Sequence, residues 1–181
     1  MEISQLDKSE CLSDKVFWDL CRNQIFNKEV HKRNLRDFKF LSDFFDIKLF
    51  LAFGTLLGAI REKDFIDGDS DVDVSLLESD EDKLCQAINS KIRKLQGFKL
   101  IRILPDLITL NRDGGNIDIS IFRKSRNYEC LGRHKINMEL VEHPLIVDFY
   151  GQKFLAPNNT ESYLAYLYDN WKVPSKQHAM R

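Results

Sequence analysis

FGTLLGAIREKDFIDGDSDVDVSLL, residues 53 to 77, sets the problem. Carboxylates stand at Asp67, Asp69, Asp71 and Asp73, every second position, in apolar surroundings. On a strand, side chains two apart share a face, so Asp71 and Asp73 project together while Val72 and Val74 turn into the core. Like charges held that close call for a cation. Oxygen-only ligands suit Mg²⁺ or Mn²⁺, which bind through one or two carboxylates together with substrate phosphates. A further carboxylate is expected from IDISI, residues 117 to 121, where Asp118 faces opposite to three isoleucines and needs a polar reason to be there.

The flanks of this stretch supply the fold. KLFLAF, residues 48 to 53, is short, apolar and aromatic, which predicts a buried strand ending at Gly54. Gly54 and Thr55 then precede the helical pattern LLGAIRE. A glycine turn opening a helix presents free N–H groups and the positive end of the helix dipole, a setting for phosphate. Upstream, residues 13 to 26 and 28 to 45 have amphipathic helical spacing, with Leu35, Phe38, Leu41 and Phe45 as the apolar stripe of the second. Downstream, a helix over about 80 to 95 stops at Gly97, and strands follow over 98–104, 107–111 and 117–122, the last two joined by a turn at Asp113-Gly114-Gly115. A hairpin around Tyr150-Gly151 and a helix over about 160 to 169 complete an α+β (mixed α/β) chain, its mixed sheet flanked by helices.

Composition narrows the function class. The chain has 181 residues, a formal net charge of −1, 43% hydrophobic and 30% charged residues, as expected of one globular domain. That balance gives no electrostatic basis for nucleic-acid binding. No apolar run reaches the ~18 residues of a membrane span, and MEISQLDKSE is too polar for a secretory signal, so a cytoplasmic protein without a transmembrane segment is expected. The four cysteines, Cys11, Cys21, Cys85 and Cys130, lack zinc spacing and are expected to be reduced thiols. His31, His134, His143 and His178 show no paired spacing and are read as structural or exposed.

Strand, Gly-Thr, helix, D-x-D on a second strand and a lone Asp on a third is the layout of the nucleotidyltransferase fold. A calcium-loop alternative, with Asp67, Asp69, Asp71, Asp73, Ser75 and Glu78 at ligand positions, has Val72 where the sharp turn requires Gly.

FLAFGTLLGAIREKDFI followed by the D-x-D-V-D pattern resembles the signature of the LicD/fukutin family of phosphotransferases. The tail FYGQKFLAPNNTESYLAYLYDNWKVP, residues 149 to 174, is similar to the family's closing segment, and the resemblance spans roughly Leu35 to Pro174. It implies one nucleotidyltransferase-fold domain over 1–181, with N-terminal helices to residue 46, a catalytic sheet over 47–125 and a C-terminal hairpin and helix over 126–181. The implied activity is transfer of a phospho-alcohol, of the phosphocholine, ribitol phosphate or glycerol phosphate type, from a CDP-linked donor to a glycan or lipid-linked glycan hydroxyl. By the same resemblance Asp71 and Asp73 hold the divalent metal, with Asp69 as an extra ligand or just behind them. Asp118 is either a ligand or the base that takes the acceptor proton. Gly54 and Thr55 bind donor phosphate, and Arg61 steadies it or the turn.

The family usually has I-P-W-D-D-D where this chain has Ile66-Asp67-Gly68-Asp69-Ser70-Asp71, which removes an aromatic surface beside the site. The basic run after the Asp118 strand, from Arg123 and Lys124 through Arg126, Arg133 and His134 to Lys135, is read either as a clamp for the donor diphosphate or an anionic acceptor, or as a solvated loop. The resemblance is compatible with peripheral association with a polysaccharide assembly complex. Two other readings stand beside it: transfer of a nucleoside monophosphate to a protein or small molecule, and a non-catalytic module that binds divalent metal or nucleotide.

Overall fold

The computed structural model describes residues 2–23, 26–125, 128–130 and 134–174, with side chains for all of these but 128–130 and 134. Arg126, Arg133 and His178, and the side chains of Cys130 and His134, lie outside the described residues.

Two amphipathic helices come first, α1 (Asp14–Arg22) and α2 (Lys28–Phe44), close to the spans their periodicity predicts. Asn27 caps α2, accepting hydrogen bonds from the Glu29 and Val30 amides. The strand expected over 48 to 53 is only β1 (Phe50–Leu51), because Phe53 takes a left-handed φ of 39° and already begins α3 (Phe53–Arg61). Gly54 and Thr55 therefore lie inside the first turn of α3 rather than in a loop before it. The acidic stretch becomes β2 (Asp71–Leu77), in which Val72, Val74 and Leu76 are fully buried.

The single helix expected over 80 to 95 is divided into a 3-10 turn (Glu78–Asp80), α4 (Glu81–Asn89) and α5 (Lys91–Leu95). Ser90 makes the break: its extended backbone ends α4, and its side chain caps α5 by accepting from the Arg93 amide. Three strands follow, β3 (Lys99–Leu104), β4 (Leu107–Arg112) and β5 (Gly115–Lys124). The β4–β5 turn is tighter than expected, with only Asp113 and Gly114 at positive φ and Gly115 already in the strand. Next come β6 (Tyr128–Cys130), β7 (His134–Ile136) and α6 (Met138–Glu142), where the sequence reading placed no firm element. The hairpin of β8 (Leu145–Phe149) and β9 (Gln152–Ala156) turns at Tyr150-Gly151 as expected, before α7 (Thr160–Leu167).

The principal strand order is β3-β4-β5-β2-β1-β9-β8, with β6 and β7 added beyond β5. The sheet is mixed: β2 runs parallel to β5 and β1 to β9, while the other pairs are antiparallel. Its two faces differ in character. Ile117, Ile119 and Ile121 of β5 are fully buried on the face that α2 covers. A Cβ built on Gly115, which shares that face, would come within 2.8 Å of Val30 Cγ1 and 2.9 Å of Asn34 Nδ2, so α2 touches the sheet backbone there. The opposite face carries Asp71, Asp73, Asn116 and Asp118, and α1 lies against part of it, its Cys21 Sγ 3.8 Å from Asn116 Nδ2. The face away from α2 holds the acidic cluster at one end and is buried at the other, around Phe50 and Phe122.

Candidate active site

Parallel pairing of β2 with β5 sets Asp73 directly opposite Asp118 and Asp71 opposite Asn116. Asp69, in the loop just before β2, folds back so that one carboxylate oxygen each from Asp69, Asp71 and Asp73 lies within 4.8 Å of the others. The cluster expected from the sequence forms, with Asp118 beside it, but Asp67 stays out: its carboxylate points to solvent and pairs with Lys28 Nζ at 2.8 Å. The calcium-loop alternative fails on geometry, because residues 71 to 77 form a straight strand that cannot wrap an ion.

The first turn of α3 is built around these carboxylates. Asp73 Oδ2 accepts the Gly54 amide at 3.0 Å, and a Cβ on Gly54 would stand 2.4 Å from Asp69 Oδ2 and 3.2 Å from Asp73 Oδ2. Only glycine lets the two carboxylates close over the helix start. Thr55 has a different place from the one expected of a phosphate ligand. It is fully buried, and its hydroxyl accepts the Asp73 N–H at 2.8 Å, tying α3 to β2 at the residue that carries the carboxylate.

Burial dominates the electrostatics. It raises Asp69 to about 7, helped by the Asp71 charge, and raises Asp73 well above the usual carboxylate range, with the charges of Asp71, Asp69 and Asp118 acting in the same direction. Asp71 is raised by burial as well. Asp118 is pushed up to about 7 by burial and the Asp71 charge, against the Thr109 hydroxyl, which donates to Asp118 Oδ1 at 2.7 Å. Asp69 Oδ2 is buried with no hydrogen-bond partner among the described residues. A hard divalent cation fits such a donor set: oxygen ligands alone, converging, one of them otherwise orphaned. Asp69, Asp71 and Asp73 are the residues that would hold it.

The remaining expected site residues divide. Arg61 sits behind the first turn of α3, its Nε on Glu62 at 2.7 Å and its Nη1 on the Trp171 carbonyl at 2.9 Å, which ties the C-terminal tail to this helix. It also lines a cleft of about 610 Å³ with Lys28, Asp64, Phe65 and Ile66, along the loop that leads to the triad. Arg123 and Lys124 are not brought to the cluster. They lie five and six residues beyond Asp118 on one strand, about 16 to 20 Å away at ~3.3 Å per residue. Arg123 is committed to Glu81 at 2.8 Å and Asp106 at 2.5 Å, and Lys124 is exposed.

Several neighbours were not read as site residues in the sequence. Tyr168 is buried near Asp73 and Asp69, and burial with those charges pushes its phenol upward. Thr109 orients Asp118, and Asn111 donates to Asn116 at 2.7 Å one row further along the same face. Arg102 stands opposite Thr109. Strand alternation could have placed Thr109 and Asn111 on one face, but pairing them with Asp118 and Asn116 required the register of the β4–β5 hairpin.

The model of the family described as LicD/FKTN/FKRP, nucleotidyltransferase domain, matches residues 46–159. This range is narrower at both ends than the resemblance from Leu35 to Pro174, and the α7 tail lies outside it. No curated protein matches the chain. Among solved structures, the solution structure of the antibiotic-resistance factor ANT(2'')-Ia is similar with a TM-score of 0.53 and 11% identity, over 72% of this chain and 66% of that one. The chain thus spans slightly under two thirds of that structure. The crystal structure of ANT(2'')-Ia in complex with adenylyl-2''-tobramycin is similar with a TM-score of 0.51 and 13% identity, over 80% and 82% of the two chains. At these identities the likeness is one of fold.

Proposed function

Because the chain belongs to the LicD/FKTN/FKRP nucleotidyltransferase-domain family, we propose that it is a metal-dependent transferase that moves a phospho-alcohol from a CDP-linked donor to a glycan hydroxyl and releases CMP. The observation that carries this reading is the convergence of Asp69, Asp71 and Asp73 over Gly54, with one buried carboxylate oxygen left without a partner. A divalent cation held there by Asp69, Asp71 and Asp73 would supply charge neutralisation for a diphosphate and its leaving group.

The chain's own residues account for the rest of the chemistry. Gly54 and Thr55 fix the Asp73 carboxylate and backbone, so the ligand geometry is set before substrate arrives. Asp118, one strand over, is held by Thr109 through Oδ1, which leaves Oδ2 to face the acceptor. With a pKa near 7 it takes the acceptor proton at neutral pH as the acceptor oxygen bonds to phosphorus and the phosphorus–oxygen bond to CMP breaks. A lone base of this kind contributes about 10²–10⁴-fold. Arg61 supports the turn rather than the phosphate, since its Nε and Nη1 are already engaged. The chain works without nucleic acid, its partners being the donor and a glycan or lipid-linked glycan; no described helix is long and apolar enough to cross a membrane.

A panel of CDP, CTP, UTP, GTP and ATP, each with and without Mg²⁺, tests the proposal by thermal shift on the native chain and on Asp73→Asn. A ligand at about 100 times its dissociation constant adds about 2.7 kcal/mol, or about 5–10 °C for a chain of this size. The expected result is stabilisation by CDP that needs Mg²⁺ and is lost in Asp73→Asn. A preference for ATP or GTP would replace the reading with nucleotidyl transfer. No nucleotide response under any condition would leave only a metal-binding module.

A further inference from the structure

Four residues stand in register across the polar face of the sheet. Arg102 of β3 is opposite Thr109 of β4, Thr109 is opposite Asp118 of β5, and Asp118 is opposite Asp73 of β2. Side chains paired across neighbouring strands share a face, so a cation at one end and two carboxylates at the other line a single groove. Thr109, between them, is engaged with Asp118. Among the described residues no side-chain acceptor engages Arg102. Its Nε–H is buried without a hydrogen-bond partner, and among the described residues no carboxylate pairs with it.

Other arginines of this half of the molecule behave differently. Arg93 pairs with Glu10 at 3.0 Å, Arg112 with Asp37 at 2.9 Å, and Arg123 with Glu81 and Asp106. Arg102 is held by ring faces instead, its Cζ 4.3 Å from the Phe17 centroid and 5.1 Å from that of Trp18, both on α1. Phe17 is buried, whereas Trp18 is 50% exposed, so this end of the groove opens to solvent. A guanidinium stacked on aromatic rings keeps its N–H donors in plane and unspent, the geometry that receives the paired oxygens of a phosphate or carboxylate.

Position decides which substrate this would be. The triad and the α3 turn lie on one side of Asp118, and Arg102 lies two strands away on the other. A molecule that presents its hydroxyl to Asp118 and avoids the donor extends toward Arg102. We propose that the acceptor is anionic, a sugar or polyol that carries a phosphate or carboxylate, and that Arg102, clamped by Phe17 and Trp18, receives that anion. The inference rests on the reading of Asp118 as the group that faces the acceptor hydroxyl. The Arg102 charge reaches Asp118, where it opposes the upward push of burial.

Trp18 reports on this site and Trp171, the second of the two tryptophans, serves as internal reference. The indole N–H resonances of both would be followed by NMR in EDTA, at fixed low ionic strength, during titration with inorganic phosphate, sn-glycerol 3-phosphate, glucuronate and uncharged glycerol. The anions are expected to move Trp18 and leave Trp171, and glycerol to move neither. Arg102→Gln should weaken the response by at least about tenfold. Arg102→Lys, which keeps a cation but loses the planar fork, should fall between, and it serves in place of the glutamine variant if that one does not fold. The titration is then repeated with CDP and Mg²⁺ at saturation, where the anion should still move Trp18. Displacement of the anion by CDP would assign Arg102 to the donor and overturn the proposal. So would a Trp18 resonance that ignores every anion up to tens of millimolar, or an unchanged response in both variants. Failure of CDP itself to bind would sink the donor reading alone, since the metal-free titration needs no nucleotide.

Discussion

Thr55 separates two roles that look alike in sequence. A Gly-Thr pair at a helix start suggests phosphate binding, yet the Thr55 hydroxyl is buried and accepts the N–H of Asp73. Thr55→Val keeps the shape and removes the acceptor, leaving a buried N–H unpaired at a cost of about 1–3 kcal/mol. Because that N–H belongs to Asp73, one of the residues proposed to hold the metal, Mn²⁺ affinity should also fall about 10–100-fold, as for other groups that orient metal ligands. Urea denaturation and calorimetric Mn²⁺ titration check both, and Thr55→Ser should restore both. A variant that binds Mn²⁺ normally but loses nucleotide would return Thr55 to the phosphate. The sequence showed the acidic residues because four carboxylates at alternate positions are rare in apolar surroundings. Alternation alone does not separate Asp67 from the rest; the family resemblance singled out Asp69, Asp71 and Asp73, and these converge, with Asp69 folding in over Gly54 while Asp67 turns out to Lys28.

Elements were legible where periodicity is local and obscure where tertiary contacts cut across it. The apolar stripe of α2 marks its core face through Leu35, Phe38 and Leu41, but gives no sign that Asn34 beside it is fully buried. Asn34 Nδ2 donates to the carbonyls of Arg112 at 3.0 Å and Gly115 at 3.3 Å, and its Oδ1 accepts from Arg112 Nε at 2.8 Å. These bonds fasten α2 to the β4–β5 turn and so help set the register that puts Asp118 opposite Asp73. Asn34→Ala strips partners from a buried guanidinium and two carbonyls, and should cost about 2–4 kcal/mol in urea denaturation. A loss below about 1 kcal/mol, the ordinary net worth of a single hydrogen bond, would mean that water replaces the side chain and the fastening is not needed. The division of α4 from α5 at Ser90 and the shortness of β1 belong to the same class: each depends on a backbone turn that residue patterning does not encode.

At the scale of the molecule, the stability of the metal-free chain should tilt with pH in a direction set by its buried carboxylates. Glu10, bound to Arg93 and to the Leu100 amide, is drawn down to about 2, so what it contributes is present above the unfolded carboxylate range and is lost only as pH falls toward 2. Asp69 and Asp118 act oppositely. Burial holds both near 7, so between about 4 and 7 the folded state keeps protons that the unfolded state has released, and stability falls as pH rises through that window. Asp118→Asn should therefore lie closest to the native chain near pH 4 and melt higher at pH 8 in EDTA, while its transfer activity is lost. Mg²⁺ should do for the native chain at pH 8 what the substitution does, and add little at pH 5, where protons compete for the same oxygens. Equal melting of the two chains at pH 8 would show that Asp118 ionises without penalty, and would remove the basis for casting it as a base poised near neutrality. The charge repulsion on β2 and β5 is a standing cost of the fold, which a cation bound there, as proposed, would relieve.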